Sequence, residues 1–437
     1  MDSLLSFLIF FTILYTVFGG MQWYVVRTGF RSLPEVYPPD TVRFIRRITL
    51  SLLLLFNLLF ILRFNATEIG WYDHPLFQVL VVYPGGLFFG VVVFSFFVLL
   101  PVRVAYRVFS AILAIGRFIK RISKQVVTWF SDTSAIQNTS SVSPVSCESS
   151  PQSLITRRTF LKTAGISLAA VPSGITILAS AATAHDYQIV RKKLHFPNLP
   201  SGLNGLRIVQ ISDIHSGIYM TEQQMRDIFE LSNQQHPDLV IITGDFVDNS
   251  VSEIPALHRA LGDLKAEYGI YGCLGNHDHY ASSRAVADSL LDRSLGLLTN
   301  QHQTLSINGE NLTLYGIDDA VTRETDEQKV LASLQGADPD GFGILMSHRP
   351  DVFDTVLSLP DHNIGLTLAG HTHGGQIGFN FLGVPVYPIH LFQKYAKGLY
   401  TEGPQKLYVN VGIGMVGAPV RTVRPELTVL ELTHSAT

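Results

Sequence analysis

Short apolar runs in the C-terminal half of the chain end in residues that can bind a metal ion or move a proton. The first run, residues 206–211 (LRIVQI), leads to Asp213 and His215. Because side chains alternate along a strand, residues two apart near its end can face the same way. This carboxylate and this imidazole can therefore share one cation.

Four further runs, residues 239–242, 268–274, 342–346 and 364–369, end in similar side chains. Asp245 follows the second run after a glycine, and its two carboxylate oxygens can touch two cations, so it is the candidate bridging ligand. The other residues of this kind are Asn276, His277, Asp278, His348, His371 and His373. The ligand types are Asp, Asn and His without Cys, which suits divalent Mn, Fe, Zn or Co.

The order of these residues resembles that of the calcineurin-like metallophosphoesterases, over about half of the chain. The resemblance rests on Asp213 with His215, Gly244 with Asp245, residues 275–278, His348, and residues 370–373. It implies an α/β fold, a metallophosphoesterase-type β-sandwich of mixed sheets flanked by helices, with two metals at the strand ends. It also implies a ligand set: Asp213, His215 and His373 for one metal, Asn276, His348 and His371 for the other, and Asp245 for both.

Two such cations can share a hydroxide that attacks a phosphoester or pyrophosphate bond. His277, next to ligand Asn276, is expected to protonate the leaving oxygen, and Asp278 to hold His277 in the useful tautomer. His279 and Arg349 are candidate substrate contacts, and the alternative for each is a polar neighbour without a catalytic task. Residues 412–417 (GIGMVG) depart from the small polar residues typical of relatives, which bears on the substrate rim.

The composition indicates membrane segments. Of 437 residues, 47% are hydrophobic and only 15% are charged, which is too apolar for an ordinary soluble protein. Uncharged or nearly uncharged runs over 3–26, 48–62 and 75–102 predict three spanning helices, with a buried or interfacial helix as the alternative for the second. Residues 104–127 predict an amphipathic helix on the membrane surface. Residues 1–130 are therefore expected to form an all-α transmembrane region.

Basic loops and the segments that follow the membrane region predict on which side of the membrane the C-terminal domain lies. Arginines in the loop between the first two spans predict that it is cytoplasmic. A Ser-rich linker follows over 131–155, and residues 156–184 resemble a twin-arginine export signal, with a fourth spanning helix or a helix packed on a cytoplasmic domain as alternatives. The first two readings put the phosphoesterase domain, residues 198–437, outside the bacterial inner membrane, anchored by a multi-pass region.

Net charge and cysteine content exclude some binding partners and some kinds of site. A net charge of -3 gives no basic field for nucleic acid, and Cys147 and Cys273 support neither a disulfide framework nor a thiolate metal site. Residues 374–377 and 394–400 resemble a bacterial branch that includes enzymes acting on nucleotide-linked lipid A precursors, such as UDP-2,3-diacylglucosamine pyrophosphatases. We expect a phosphorylated lipid or small molecule as substrate. The alternative is a membrane sensor or scaffold that binds a phosphate ligand without turnover.

Overall fold

The structure is a computed structural model, and it describes residues 2–30, 37–64, 75–131, 186–319, 325–381, 384–417 and 420–434. They belong to two compact units: residues 1–56 with 88–175, and residues 57–87 with 176–437. The linker expected over 131–155 lies, apart from Ser131, outside the described residues, and so does the twin-arginine-like segment expected over 156–184.

Long apolar helices make up the N-terminal region. They are α1 (Asp2–Phe30), α2 (Pro39–Phe64) and α3 (Tyr83–Ser131), the last preceded by a helical turn (Pro75–Phe77) and a π-helical segment (Gln78–Val82). Among the described residues, one helical stretch, Pro39–Leu62, is long and apolar enough to cross a membrane. Because α3 runs unbroken for 49 residues, it contains both residues 83–102 of the predicted third span and the whole of the predicted amphipathic helix, 104–127.

A ring contact and a hydrogen bond give the relative direction of α1 and α3 within the first unit. The ring centroids of Phe18 and Phe88 are 5.9 Å apart, and Nη1 of Arg103 donates to Oγ1 of Thr28 at 2.8 Å. Since both pairs advance toward the C-terminus, α1 and α3 run parallel. Phe88 also stacks on Phe56 of α2, with centroids 5.2 Å apart.

Two six-stranded sheets form the C-terminal part of the chain that the structure describes. In spatial order the first sheet is β1 (Gln188–His195), β14 (Glu426–Thr433), β2 (Arg207–Ile211), β3 (Leu239–Thr243), β4 (Ile270–Cys273) and β5 (Gly296–Leu297). The second is β12 (Gly398–Glu402), β13 (Gln405–Val409), β9 (Ile364–Ala369), β8 (Phe342–Met346), β7 (Glu310–Gly316) and β6 (Gln301–Ile307). A hairpin of β10 (Phe379–Phe381) and β11 (Val384–Val386) is separate from both.

The two sheets pack face to face, and alternation along the strands divides their side chains between two layers. Ile208 and Ile241 point into the core between the sheets, where they meet Leu366 and Leu368 of β9. Val209 of β2, by contrast, packs in the outer layer of the first sheet. This alternation is what a strand buried on both faces requires, and it confirms the predicted sandwich.

Helices cover the outer face of each sheet. On the first sheet these are α4 (Glu222–Asn233), α5 (Ile254–Leu261), α6 (Asn276–Ala281) and α7 (Ser283–Asp292), and on the second α8 (Asp326–Leu334) and α9 (Val352–Ser358). Short 3-10 segments are Ser201–Leu203, Val251–Glu253, His373–Gly375 and Pro388–Leu391. Helix α6 begins at Asn276, just after β4, at the strand ends where α/β proteins place ligands.

The first sheet begins earlier than the boundary expected at residue 198. Strand β1 pairs with β14 in parallel register from Gln188 to His195. Its middle residues, Arg191, Lys192 and Lys193, are exposed, so hydropathy alone gave no sign of a strand. The phosphoesterase domain therefore includes residues 188–195.

Candidate metal centre

Parallel strands bring the predicted ligands to one edge of the sandwich. Strands β2, β3 and β4 are mutually parallel in the first sheet, as are β8 and β9 in the second. The pairing continues past the strand ends, because Asp213 N–H donates to the Gly244 carbonyl at 3.1 Å and His215 N–H to the Asp245 carbonyl at 3.0 Å. The loops after β2 and β3 therefore lie side by side.

The backbone at this edge is strained. Positive φ angles occur at five of the predicted ligands: Asp213 (49°), His215 (47°), Asp245 (54°), His371 (70°) and His373 (50°). A non-glycine residue in this region costs on the order of 1–3 kcal/mol and persists only where the surroundings enforce it. Such a concentration of strain is typical of a functional site.

Asp213, His215 and His373 form one donor set. Their ligand atoms lie within 4.8 Å of one another, and all three residues are buried. The Nε2 atoms of His215 and His373 are 3.1 Å apart, and Nε2 of His373 is 3.4 Å from Oδ1 of Asp213. Two nitrogens at that separation can both lie about 2.1 Å from a single ion, as metal–imidazole bonds require.

Asp245, His348 and His371 form a second donor set, and their ligand atoms also lie within 4.8 Å of one another. Nε2 of His348 lies 3.1 Å from Oδ2 of Asp245 and 3.1 Å from Nδ1 of His371. The side-chain oxygen of Asn276, a residue only 6% exposed, is buried without a hydrogen-bond partner among the described residues. An orphaned buried oxygen of this kind fits a metal ligand.

Asp245 connects the two sets. Its Oδ2, which faces His348, is also 3.5 Å from Nε2 of His215, and Asp245, His215 and His277 form a third overlapping group. Its Oδ1 accepts the backbone N–H of His277 at 2.9 Å. The residues present therefore fit divalent metal ions, with Asp245 between the two donor sets.

Comparison with known proteins agrees with this geometry. The sequence pattern of the calcineurin-like phosphoesterases matches residues 206–375. The uncharacterized metallophosphoesterase YkuE of Bacillus subtilis is 35% identical over 239 residues, which cover 54% of this chain and 81% of that protein. The chain belongs to the calcineurin-like phosphoesterase family.

In other relatives the part that aligns with this chain is a smaller share of the protein. A transmembrane protein with a metallophosphoesterase domain from Danio rerio is 32% identical over 261 residues, covering 56% of this chain and 57% of that protein. An uncharacterized metallophosphoesterase of Campylobacter jejuni is 31% identical over 242 residues, covering 54% and 61%. The chain thus spans less than two thirds of these two proteins. The family is one of metal-dependent phosphoesterases, and the two donor sets fit that description.

Charges within this phosphoesterase site control the protonation of its groups. Burial raises the pKa of the Asp213 carboxyl. Burial also acts to raise the pKa of Asp245, but His348 and His215 outweigh it and hold that pKa well below its usual range. Burial and the charge of His348 lower the pKa of His371 to about 3. Asp245 is therefore ionised and His371 neutral at pH 7. Burial opposes the cationic forms of His215 and His348, but Asp248 and Asp245 outweigh it and raise their pKa values to about 9 and about 10, so a bound metal ion would displace a proton from each ring.

Backbone carbonyls orient two of the imidazoles. Nδ1 of His348 bonds to the Thr243 carbonyl at 2.9 Å, which leaves Nε2 for the Asp245 side. Nδ1 of His277 bonds in the same way to the Asp248 carbonyl. When one ring nitrogen of a histidine at a metal site bonds to a carbonyl in this way, the tautomer and the direction of the ring are fixed.

Asp278 has a different task from the expected one. Its Oδ1 accepts the N–H groups of Phe246 (2.8 Å) and Val247 (3.2 Å), and its Oδ2 accepts that of Gly275 (2.9 Å). The expectation that Asp278 orients His277 is corrected by these bonds, since the backbone of Asp248 does so instead. Asp278 joins the loops that follow β3 and β4. Burial, followed by the charge of Asp245, raises its pKa to about 7.

His279 and Arg349 each meet a carboxylate that sequence reasoning missed. Nε2 of His279 is 2.7 Å from Oδ1 of Asp318, and Nε of Arg349 is 2.6 Å from Oδ1 of Asp319. The two acids follow β7, where an apolar run (312–317, LTLYGI) ends as the five others do. That sixth run was the signal that could have revealed them.

A second missed group lies on the loop after Asp245. Oδ1 of Asp248 is 3.4 Å from Nδ1 of His215. Oε2 of Glu253 accepts the N–H groups of Asp248 (2.8 Å), Asn249 (2.9 Å) and Ser250 (3.1 Å). No spacing in the sequence connected Glu253 with the site, because it acts through the backbone of the loop.

Proposed function

We propose that this phosphoesterase uses two divalent metal ions to hydrolyse a phosphoester or pyrophosphate bond in a phosphorylated lipid or small molecule next to a membrane. The observation that carries the proposal is the position of Oδ2 of Asp245, 3.1 Å from one imidazole nitrogen and 3.5 Å from another in the neighbouring donor set. One carboxylate thus faces both sets, as a ligand shared by two ions would.

The metal ligands would be those of the two donor sets, together with Asn276. When bound, two such cations lower the pKa of water to near neutrality and neutralise charge that grows on the phosphoryl oxygens. Mn, Fe, Zn and Co all suit a nitrogen and oxygen set of this kind. Asp213 accepts the backbone N–H of His371 at 3.0 Å, so the two halves of the ligand set are tied together by the protein itself.

His277 is the proposed proton donor to the leaving oxygen. With Nδ1 bonded to the Asp248 carbonyl, Nε2 is the nitrogen available to a substrate. Burial, and then the charge of His215, lower the pKa of His277, so the free enzyme carries it as a neutral ring. It must therefore take up a proton before it can donate one, and the negative charge of an incoming phosphate favours that uptake.

His279 and Arg349 are the proposed substrate contacts. Because Asp319 holds Nε of Arg349, the two terminal nitrogens of the guanidinium can reach phosphate oxygens as a fork. The hydrogen bond that His279 donates to the Asp318 carboxylate raises the pKa of His279, which favours its cationic form. Each acid thus orients one cation at the rim, and loss of either cation should weaken substrate binding more than metal binding.

The N-terminal helices support the membrane part of the proposal. The helices α1 and α3 are parallel, and α2 contacts both: the guanidinium of Arg46, near its start, lies 5.7 Å from the Phe30 ring at the end of α1. This arrangement fits three successive crossings with the basic loop between α1 and α2 in the cytoplasm. We propose that residues 156–184 carry the chain across once more, which would leave the catalytic domain outside the inner membrane.

Hydrolysis by the full chain in lipid nanodiscs tests the proposed reaction. The protein is stripped of metal, refilled with Mn, and assayed with an aryl phosphodiester, an aryl phosphomonoester and a pyrophosphate-linked lipid. We expect turnover of at least one compound only after refilling, reduced about 10²-fold or more in His277→Ala. Turnover that is unchanged by metal removal would contradict the proposal.

The same assay separates the enzyme from a sensor. A sensor would bind inorganic phosphate in the refilled state but turn over none of the three compounds. The complete donor sets and the retained His277 favour the enzyme, because a binding protein has no need of a proton donor beside the site.

A further inference from the structure

A basic cavity lies between α1 and α3, within the first unit. It measures about 270 Å³ and is lined by Trp23, Tyr24, Arg27, Leu100, Arg103, Val104 and Arg107. We name Arg27, Arg103 and Arg107 the arginine cluster. We propose that the arginine cluster binds the phosphate of an anionic lipid headgroup.

Aromatic and hydroxyl contacts hold two of the three arginines in place. The guanidinium of Arg27 lies 4.6 Å from the centre of the Trp23 ring, and that of Arg103 lies 5.5 Å from the Tyr24 ring. Arg103 also donates to Oγ1 of Thr28 at 2.8 Å. Contacts with ring faces satisfy a guanidinium without neutralising it, so the positive charge stays available to an anion.

Among the residues that the structure describes, the cavity lining contains three positive charges and no carboxylate. Asp40, a carboxylate near the start of α2, is paired with Arg43. An uncompensated group of guanidinium forks favours an anion that accepts several hydrogen bonds at once, and phosphate is the biological anion that best matches this geometry. The cavity volume of about 270 Å³ is many times what one water needs, which is room for a headgroup phosphate.

Along the helices, the cavity lies at the position where a membrane surface is expected. The stretch Pro39–Leu62 is the candidate span, and Arg46 near its start meets Phe30 at the end of α1. The bond from Arg103 to Thr28 sets α3 at that same level. Trp, Tyr and Arg are the residues enriched where hydrocarbon meets headgroups.

Lipid is favoured over free phosphate by the apolar residues at the cavity edge. Leu100 is 37% exposed and Val104 is 52% exposed, and both adjoin the arginines on α3. An acyl chain could cover these side chains while its phosphate meets the guanidinium groups. Basic pockets between membrane helices bind anionic headgroups in this way. The inference rests on the proposed membrane insertion but not on hydrolysis.

Native mass spectrometry of the full chain in detergent tests the inference. The protein is offered equal amounts of phosphatidylglycerol and phosphatidylcholine, and we compare wild type with Arg103→Ala and with Arg107→Ala. We expect wild type to retain phosphatidylglycerol preferentially, and each variant to lose about fivefold in that retention, the worth of one basic residue near an anionic surface. Arg117→Ala is the matched control on the same helix, because Arg117 bonds to its own helix at the Leu113 carbonyl, and it should retain the lipid as wild type does.

The remaining outcomes decide the occupant. Equal retention of both lipids by wild type, or undiminished retention of phosphatidylglycerol by both variants, would overturn the proposal. Inorganic phosphate that binds without lipid and depends on the same arginines would support the phosphate site but identify free phosphate as its ligand. Because Arg103 is half-buried, Arg107→Ala at an exposed position provides the reading if Arg103→Ala melts at a lower temperature than wild type.

Discussion

His277 bonds through Nδ1 to the main-chain carbonyl of Asp248. The carboxylate of the same residue lies 3.4 Å from Nδ1 of His215. Asp248 thus serves two imidazoles through two different atoms, one of which no side-chain substitution can remove. The carboxylate Oδ1 also lies 3.6 Å from Nδ1 of His277, so it contacts both rings, whereas the carbonyl bonds to His277 alone.

Replacing Asp248 with alanine should weaken metal binding while leaving His277 oriented. The substitution removes the carboxylate that faces His215, together with its 3.6 Å contact to His277, but keeps the carbonyl that bonds to Nδ1 of His277. Loss of an outer-shell carboxylate typically costs about 10- to 100-fold in metal affinity. We expect that loss in a Mn titration of the full chain, with kcat at saturating metal within a few-fold of wild type.

Asp288→Ala is the control for this prediction, because Asp288 lies exposed on α7 beside Arg284. It should leave the metal affinity unchanged. Equal affinity in wild type and Asp248→Ala would show that the carboxylate does not support His215.

The substitution Gly275→Ala should disrupt the site by a steric clash. A Cβ atom at Gly275 would lie 2.2 Å from Oδ1 of Asp245 and 2.5 Å from its backbone nitrogen. Asp245 or the loop must then move, and a displacement of about 1 Å costs on the order of 10²-fold in rate. We expect kcat/KM of the refilled enzyme to fall by about that factor.

Gly262→Ala is the matched control, since the nearest atom there is the flexible end of Arg293 at 3.2 Å. It should hydrolyse at the wild-type rate. If Gly275→Ala does so too, the close packing against Asp245 is not needed for activity.

Glu253→Gln should change how stability depends on pH. Burial, and then the charge of Asp248, raise the pKa of Glu253 from its ordinary value of 4.5 to about 8. Between these values the folded state holds more protons than the unfolded state, so this group's contribution to stability is full below pH 4.5 and declines as pH rises toward 8. The glutamine side chain does not titrate. The melting temperature of the variant minus that of wild type should therefore increase as the pH rises from 4.5 to 8.

Thermal melting at half-unit steps from pH 4.5 to 8.5 measures this difference. The amide oxygen of glutamine can still accept the three loop N–H groups, so the variant should fold. A constant difference in melting temperature at every pH would contradict the raised pKa of Glu253.

Removal of the buried cation Arg421 should destabilise the loop beneath Asp213. Arg421 is 1% exposed and donates to the carbonyls of Val411 (2.7 Å), Gly412 (2.9 Å), Val423 (2.7 Å) and Gly414. Arg421→Met would leave these acceptors unpaired, at about 1–3 kcal/mol for each one that finds no water. We expect the midpoint of thermal inactivation to fall by several degrees.

Arg424→Ala provides the comparison, because Arg424 pairs with Asp186 where both side chains are about half exposed. A surface pair of this kind is worth about 1 kcal/mol or less. If both variants inactivate at the wild-type temperature, the carbonyl contacts of Arg421 do not stabilise the loop.

The strand ends of the site were predictable because parallel strands obey a simple pattern. The runs at 342–346 and 364–369 coincide with β8 and β9, and His348 and His371 follow them as expected. The pattern also predicted which side chains share a site, since carboxyl ends of parallel strands meet at one edge. In the structure the loops that carry Asp213 and Asp245 lie side by side at that edge.

The remaining features depend on contacts between segments far apart in the sequence. Asp278 lies beside His277 in the chain, yet it bonds across to Phe246 and Val247. Arg421 and Glu253 act through backbone groups that carry no residue-type signal. Strand β1 exposes its basic residues at the sheet edge, so only its pairing with β14 identifies it. Local patterns cannot encode partners of this kind.

The metal content of the refilled full chain, measured together with turnover in wild type and Asp245→Asn, tests the central claim most directly. Asparagine keeps the shape of Asp245 but removes the charge that faces both donor sets. We predict two ions per chain and metal-dependent hydrolysis in wild type, with fewer than two ions and at least a 10²-fold loss of turnover in the variant. An Asp245→Asn protein that binds two ions and hydrolyses at the wild-type rate would contradict the account.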